Sequence, residues 1–192
     1  MAFNIVESIQ KTVGFPELQK IDPNTQEVIK PENMSCQDYL GQAAIPAVLT
    51  GIYKFTRAEE GNAEILQGEL KGNFLSIIFG IKKDEVVNKV AGYTGNSPEY
   101  AADKMEAIAR AAVGVIREHL TKEPTGSNVK DLLTAQRHHI LVYLPASLQL
   151  GDTLNDETLD DRTNKMEGPV SGFVHTMEQV FSTSGSDKKD EI

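Results

Sequence analysis

The side chains of this sequence best suited to bind a metal ion are its four histidines and its single cysteine. His138 and His139 are adjacent, and adjacent residues of a helix point about 100° apart, so they do not converge on one ion. A zinc site requires further ligands, and His119, His175 and Cys36 are scattered along the chain. We interpret His138 and His139 as surface or cap side chains, and the sequence predicts no metal site.

Cys36 is the candidate nucleophile. It follows Ser35, a residue type that caps helices, and a helix N-terminus stabilises a thiolate. A catalytic thiol also requires a base and an oxyanion site, and the flanking sequence indicates neither. The segment from Gly92 to Gly95 lacks the spacing of a phosphate-binding loop, and no serine lies in a Gly-x-Ser-x-Gly context. The sequence therefore predicts no catalytic residue, no cofactor-binding residue and no cofactor.

A run of acids near the C-terminus is the remaining candidate for a cation site. Its members are Asp152, Asp156, Glu157, Asp160 and Asp161. Their spacing lacks the alternating ligands, central glycine and closing glutamate of a calcium loop. We interpret the run as a solvated acidic loop, and Glu59 and Glu60 likewise as surface side chains.

Charge and composition narrow the function classes. The net charge is -9, and residues 152–192 hold ten acids against four bases. An acidic surface repels phosphate backbones, which argues against a nucleic-acid partner. One cysteine excludes a disulfide within the chain, the start lacks a secretory pattern, and the apolar segment 43–55 is too short to span a bilayer. We expect a cytoplasmic protein without a membrane partner.

The spacing of apolar residues and the positions of capping residues, glycines and prolines predict helices along most of the chain. The predicted segments are 3–13, a strongly apolar helix beginning after Ser35 and carrying Pro46, short helices at 73–80 and 84–91, a long helix at 98–121, and one from Asn128 to Pro145. Pro46 should kink the second helix or mark a break. Residues 15–34 are predicted to be mostly loop, with a short extended piece at 27–29.

These elements predict an all-α, multihelical single domain with one or two buried central helices surrounded by an irregular array of shorter helices. The hydrophobic fraction of 40% suffices for a core of that kind. We predict a helical domain at 1–151, an acidic connector at 152–168, a C-terminal amphipathic helix at 169–182 and a disordered tail at 183–192. The C-terminal helix is expected to dock on the core, and the alternative is an exposed helix that binds a groove of a partner.

The order of several short motifs resembles that of a known family. They are Asn73 to Gly80, Val86 to Ala91, Tyr93 to Ser97, the long helix Met105 to Ile116, Leu132 to Gln136 and Val142 to Leu148. Over residues 73–150, and more loosely over 36–67, this order resembles the YidB-like family of bacterial proteins, a domain of unknown function. The resemblance implies an all-helical fold with central helices and implies no activity. Many members have a proline in the long helix where this chain has Arg110.

No motif assigns an activity, so function is predicted by elimination. The sequence favours a non-enzymatic interaction or regulatory protein, with a protein partner bound through the C-terminal helix or with self-association. The alternative is a module that binds an apolar small molecule in a cavity between small-residue helices near Pro46. An enzyme without recognisable motifs is the third hypothesis.

Overall fold

The computed structural model describes residues 3–67, 72–120, 124–156 and 158–159, which lie in one compact unit, Met1–Asp161. Within these ranges the regular elements are helices, and none of the described residues forms a strand. The α-helices are α1 (Ile5–Val13), α2 (Cys36–Phe55), α3 (Glu59–Gln67), α4 (Phe74–Phe79), α5 (Lys83–Thr94), α6 (Pro98–Glu118), α7 (Gly126–Leu141) and α8 (Leu150–Leu154). Short 3-10 turns lie at Gly80–Lys82 and Ala146–Leu148. The predicted extended piece at 27–29 forms no strand.

Helix α2 is the centre of the domain. It contacts α1, α4, α5, α6, α7 and α8, and residues 39–52 are buried without interruption. Ser35 caps it as predicted, because its hydroxyl accepts the amide of Asp38. Pro46 lies inside the helix and does not break it, since α2 continues for nine residues beyond that position to Phe55. A helix that is apolar on every side is stable here because six other helices cover it.

Two glycines of α2 admit aromatic rings from neighbouring segments. A Cβ atom on Gly41 would lie 2.7 Å from Cγ of Phe15, and one on Gly51 would lie 2.5 Å from Cζ of Phe79. Both distances are far inside van der Waals contact. The small residues of α2 therefore form sockets that Phe15 and Phe79 fill, which fixes how α4 and the segment after α1 approach the central helix.

Helix α6 is the second central element and packs against α1, α2 and α5. It begins at residue 98 as predicted, and the structure shows Ser97 as its cap and Pro98 in its first turn. In the middle of α6, the carboxylate of Glu106 accepts hydrogen bonds from the backbone amides of Phe74 at 2.8 Å and Leu75 at 3.0 Å. These amides lie at the start of α4, where they have no hydrogen-bond partner within the helix. The two buried central helices and the shorter surrounding ones confirm the predicted fold class.

Some helix boundaries differ from the predicted ones. The residues that cap or end these helices are not the ones on which the prediction was based. Helix α5 passes through Gly92 and ends before Gly95, which adopts a left-handed conformation with φ 72°. Gly61 lies buried within α3, a helix that is not among the predicted segments. Helix α7 begins at Gly126 rather than Asn128, because the side chain of Asn128 accepts the amide of Thr125 in a capping box.

The packed domain extends beyond the predicted boundary at residue 151. Helix α8 runs to Leu154, and the side chains of Thr153, Leu154 and Leu159 are buried. The first part of the predicted acidic connector is therefore folded against the core. The rest of that connector, the predicted helix at 169–182 and the predicted tail at 183–192 lie outside the described residues. Among the described helices, none is both long and apolar enough to cross a bilayer.

Candidate functional site

Polar and ionisable side chains meet where α2 begins. The segment before α2 contributes Glu27 and Lys30, the first turn of α2 contributes Cys36 and Tyr39, and the last turn of α5 contributes Tyr93. We call these five residues the polar cluster. The sequence had singled out Cys36 alone among them.

Two phenols and one carboxylate form the inner part of the polar cluster. The hydroxyl of Tyr93 donates to Oε2 of Glu27 at 3.1 Å and lies 3.4 Å from the hydroxyl of Tyr39. The other carboxylate oxygen of Glu27 accepts the amide of Ser147 at 2.8 Å. Burial raises the pKa of Tyr93, and the adjacent Tyr39 phenol and Glu27 carboxylate raise that pKa further. The phenol of Tyr93 is therefore a hydrogen-bond donor at neutral pH and not a base.

The outer part of the polar cluster pairs a thiol with an ammonium group. Nζ of Lys30 lies 3.4 Å from Sγ of the partly exposed Cys36 and 5.5 Å from the centre of the Tyr39 ring. The side chain of Asn96 donates to the Cys36 carbonyl at 2.8 Å, which ties the start of α2 to the loop after α5. This arrangement holds an amine next to the sulfur, and it places no histidine there.

A cleft adjoins the polar cluster at Tyr39. Its lining comprises Pro16, Glu17, Leu18, Gln19, Met34, Asp38, Tyr39 and Gln42. Its cavity volume is about 10 Å³, roughly the room for one water molecule, whereas typical small-molecule sites measure roughly 300–1,000 Å³. The buried amide of Gln42 is already satisfied, since it accepts from the amide of Gln19 and donates to the carbonyl of the same residue, both at 2.8 Å. The cleft therefore offers little for a ligand to bind.

The histidines that sequence analysis weighed lie apart from the polar cluster. His138 is exposed and His139 half-buried near the end of α7, with their rings edge to face and 6.1 Å between centres. The ring of His119 stacks on Phe3 at 3.7 Å, and its Nδ1 bonds the Val115 carbonyl at 2.9 Å. His175 lies outside the described residues. Within the part of the chain that the structure describes, no group of three or more histidine, cysteine or acidic side chains could hold a metal ion.

The acidic run does not behave as one solvated loop. Asp156 forms an ion pair with Arg57 at 2.8 Å, with its own side chain only 11% exposed, and it accepts hydrogen bonds from Thr158. The interpretation of Asp156 as solvated was therefore wrong, because the chain folds back and brings Arg57 to it. Glu157, Asp160 and Asp161 lie outside the described residues. Glu59 and Glu60 are exposed in the first turn of α3, as expected of surface side chains.

Asp156 should make the stability of the domain depend on acidic pH. Burial, the largest influence, raises the pKa of this carboxyl, but the hydrogen bonds from Thr158 and the charge of Arg57 together hold the pKa below its usual range. A lowered folded-state pKa adds stability above the unfolded value, and that stability is lost as the pH falls through the folded value. Asp156→Asn should therefore destabilise the domain near pH 7 and do so less near pH 3.

The measurement is chemical denaturation of both proteins at several pH values. Asp103→Asn, which removes an exposed carboxylate of α6, is the matched control. A loss of stability in Asp156→Asn that is the same in acid as at neutral pH would contradict the role assigned to this ion pair.

Sequence reasoning missed most of the polar cluster for a physical reason. Glu27 and Tyr93 are 66 positions apart, and Lys30 lies in a segment predicted only as loop. Their pairing depends on how α5 packs against α2, which no local pattern encodes. The capping signal of Ser35 could locate Cys36 but not its neighbours.

No family model, no curated protein and no solved structure matches the chain.

Proposed function

We propose that this chain is a non-enzymatic interaction protein, in which a closed helical domain carries a partner-binding segment at 169–182. The observation that carries the proposal is that the described residues form one hydrophobic core. The last described member of that core is the buried Leu159, and among the large apolar side chains described, Ile29 and Ile81 are the exposed ones. The described part of the domain thus exposes few large apolar side chains.

The segment 169–182 nevertheless carries apolar residues at helical spacing. They are Val170, Phe173, Val174, Met177, Val180 and Phe181. A stripe of this kind is typical of a helix that lies in the hydrophobic groove of a partner. The acidic residues between the core and this segment favour a solvated connection that would let the segment reach such a groove.

Packing around Pro46 favours this proposal over an apolar-ligand module. The sockets of Gly41 and Gly51, where a cavity between small-residue helices was expected, hold the rings of Phe15 and Phe79. The cleft beside Tyr39 is small and open. An enzyme is supported less well, because Glu27 is engaged by Tyr93 and Ser147 and is not directed at the thiol. Membership of the YidB-like family and a cytoplasmic location are parts of the same proposal.

Removing residues 162–192 should leave the domain as stable as the full chain. The described core residues all precede that segment, so on this proposal the thermal midpoint and the cooperativity of unfolding should be unchanged. Circular dichroism and calorimetry of the two proteins would measure both quantities. A lower midpoint or a broadened transition in the shortened chain would show that the segment completes the core and does not bind elsewhere.

Binding by the segment is tested with two charge-matched double variants of the full chain. Phe173→Asp with Phe181→Asp places two carboxylates on the apolar stripe, and Ser171→Asp with Gln179→Asp places two at the same spacing on the polar side. Partner capture from cell extract, together with native mass spectrometry for self-association, should be lost in the first variant and kept in the second. Equal behaviour of the two variants would contradict the proposal.

A further inference from the structure

Among the described residues, one amine lies beside the thiol of Cys36, that of Lys30. The sequence holds a single cysteine, so oxidation of Cys36 cannot end in a disulfide within the chain. Cys36 is partly exposed and open to a small oxidant, and Nζ of Lys30 lies 3.4 Å from its sulfur. An oxidised sulfur at this position therefore meets the Lys30 nitrogen as its neighbouring nucleophile.

The surroundings hold the two reacting atoms in place. The ring of Tyr39 lies 5.5 Å from Nζ of Lys30, a distance at which aromatic faces attract cations. Asn96 fixes the Cys36 backbone, and Gly95 keeps space free at the sulfur, because a Cβ atom there would lie 3.3 Å from Sγ. Three segments of the chain thus converge to position one sulfur and one nitrogen: the one before α2, the start of α2 and the loop after α5.

From this geometry we infer that a peroxide converts Cys36 and Lys30 into a covalent sulfur–nitrogen crosslink. In the first step the sulfur attacks a peroxide oxygen. The O–O bond breaks and an S–O bond forms, and the other peroxide oxygen takes up the thiol proton and leaves as water, which yields a sulfenic acid. The sulfur is oxidised by two electrons and the peroxide is reduced by two.

The second step is a condensation without further oxidation. The Lys30 ammonium gives one proton to solvent, and its nitrogen attacks the sulfur. The S–N bond forms as the S–O bond breaks, and the hydroxyl leaves as water with the second proton of the nitrogen. Sulfenic acids condense in this way with backbone nitrogens to give sulfenamides, which are reversible by thiols. The net change in the protein is the loss of two hydrogens.

The crosslink would change this face of the domain. It joins Lys30, in the segment before α2, to Cys36 in the first turn of α2, and so closes a loop that contains Pro31. It also removes the positive charge of Lys30 next to the Tyr39 ring. The same segment carries Glu27, which holds Tyr93 and the amide of Ser147. Oxidation would therefore lock the polar cluster in one arrangement until a thiol reduces it.

The test treats the full chain with hydrogen peroxide in dilute solution and digests it with a protease that cleaves after glutamate. Glu32 lies between the two residues, so cleavage there separates Lys30 from Cys36 unless they are crosslinked. Mass spectrometry should find the two peptides joined, lighter by two hydrogens than their sum, and separated again by dithiothreitol. Lys20→Arg, the matched control, should retain the joined product.

Two variants decide the assignment. Lys30→Arg keeps a positive charge but lacks a condensing amine, so it should lose the joined product and accumulate sulfenic and sulfinic acids at Cys36. Cys36→Ser should show neither product. Unjoined peptides in the wild-type chain, a disulfide between two chains, or equal oxidation of Cys36 in the wild type and in Lys30→Arg would overturn the inference.

Discussion

Gly51→Ala should lower the free energy of unfolding by about 3 kcal/mol, the upper part of the range for overpacked cores. The added methyl group would lie 2.5 Å from Cζ of Phe79, closer still to its Cε1, and 3.0 Å from Cγ2 of Ile78. Both Phe79 and Ile78 are themselves buried, so neither can turn into solvent to make room. Relief requires α4 to move away from α2, which loses contacts along both helices.

A double variant identifies the cause of that loss. Phe79→Leu removes part of the ring that occupies the Gly51 socket, so combining it with Gly51→Ala should cost less than the sum of the single changes. Gly114→Ala is the matched control, because that glycine lies in α6 with no atom within 4 Å of the added Cβ. It should stabilise α6 by about 0.5–1 kcal/mol through helix propensity.

Urea denaturation of the wild type and of the four variants gives the required free energies. Additive losses in the double variant would mean that the socket is not the source of the effect. A Gly51→Ala protein as stable as the wild type would mean that α4 does not pack against α2 at this point.

Gln136→Met should lower the free energy of unfolding by about 2–3 kcal/mol, since a buried donor and acceptor would lose their partners. Gln136 is 7% exposed in α7, and its side chain accepts the amide of Ile5 at 3.0 Å and donates to the carbonyl of Phe3 at 3.1 Å. Methionine has nearly the same shape, so the change removes two hydrogen bonds without opening a cavity. The start of α1 would then have a buried amide with no acceptor.

The readout for this prediction is local as well as global. Hydrogen exchange of the α1 amides should become faster in Gln136→Met, while exchange in α2 changes only with overall stability. Gln37→Met, at an exposed position of α2, is the matched control and should leave both quantities within about 0.5 kcal/mol of the wild type. Unchanged protection of the α1 amides in Gln136→Met would contradict the proposal that the hydrogen bonds of Gln136 hold the start of α1 in place.

Helix positions were the part of the fold that local sequence signals could predict. Ser35 and Ser97 start α2 and α6 as expected, and Gly14 ends α1 in a left-handed conformation. Each of these signals acts within a few residues, because a cap satisfies the free amides of the turn beside it. Apolar spacing likewise placed the buried faces, since 3.6 residues per turn align them on one side.

The sequence could place Gln136 on the inward stripe of α7 but could not name its partners, which lie more than 130 positions away. Asp156 shows the same limit, because its acidic neighbourhood suggested solvent while the fold brings Arg57 to it from the end of α2.

By itself, then, the sequence determined that the described domain is all-helical with one or two buried central helices, and that residues 15–34 form mostly loop. Tertiary structure alone decided that Gly41 and Gly51 are filled sockets, and that Glu27, Lys30, Cys36, Tyr39 and Tyr93 share one site. The physical reason is the range of the forces involved. Caps and helical periodicity act over one or two turns, whereas sockets, ion pairs and buried hydrogen bonds depend on surfaces that meet only when the core has packed.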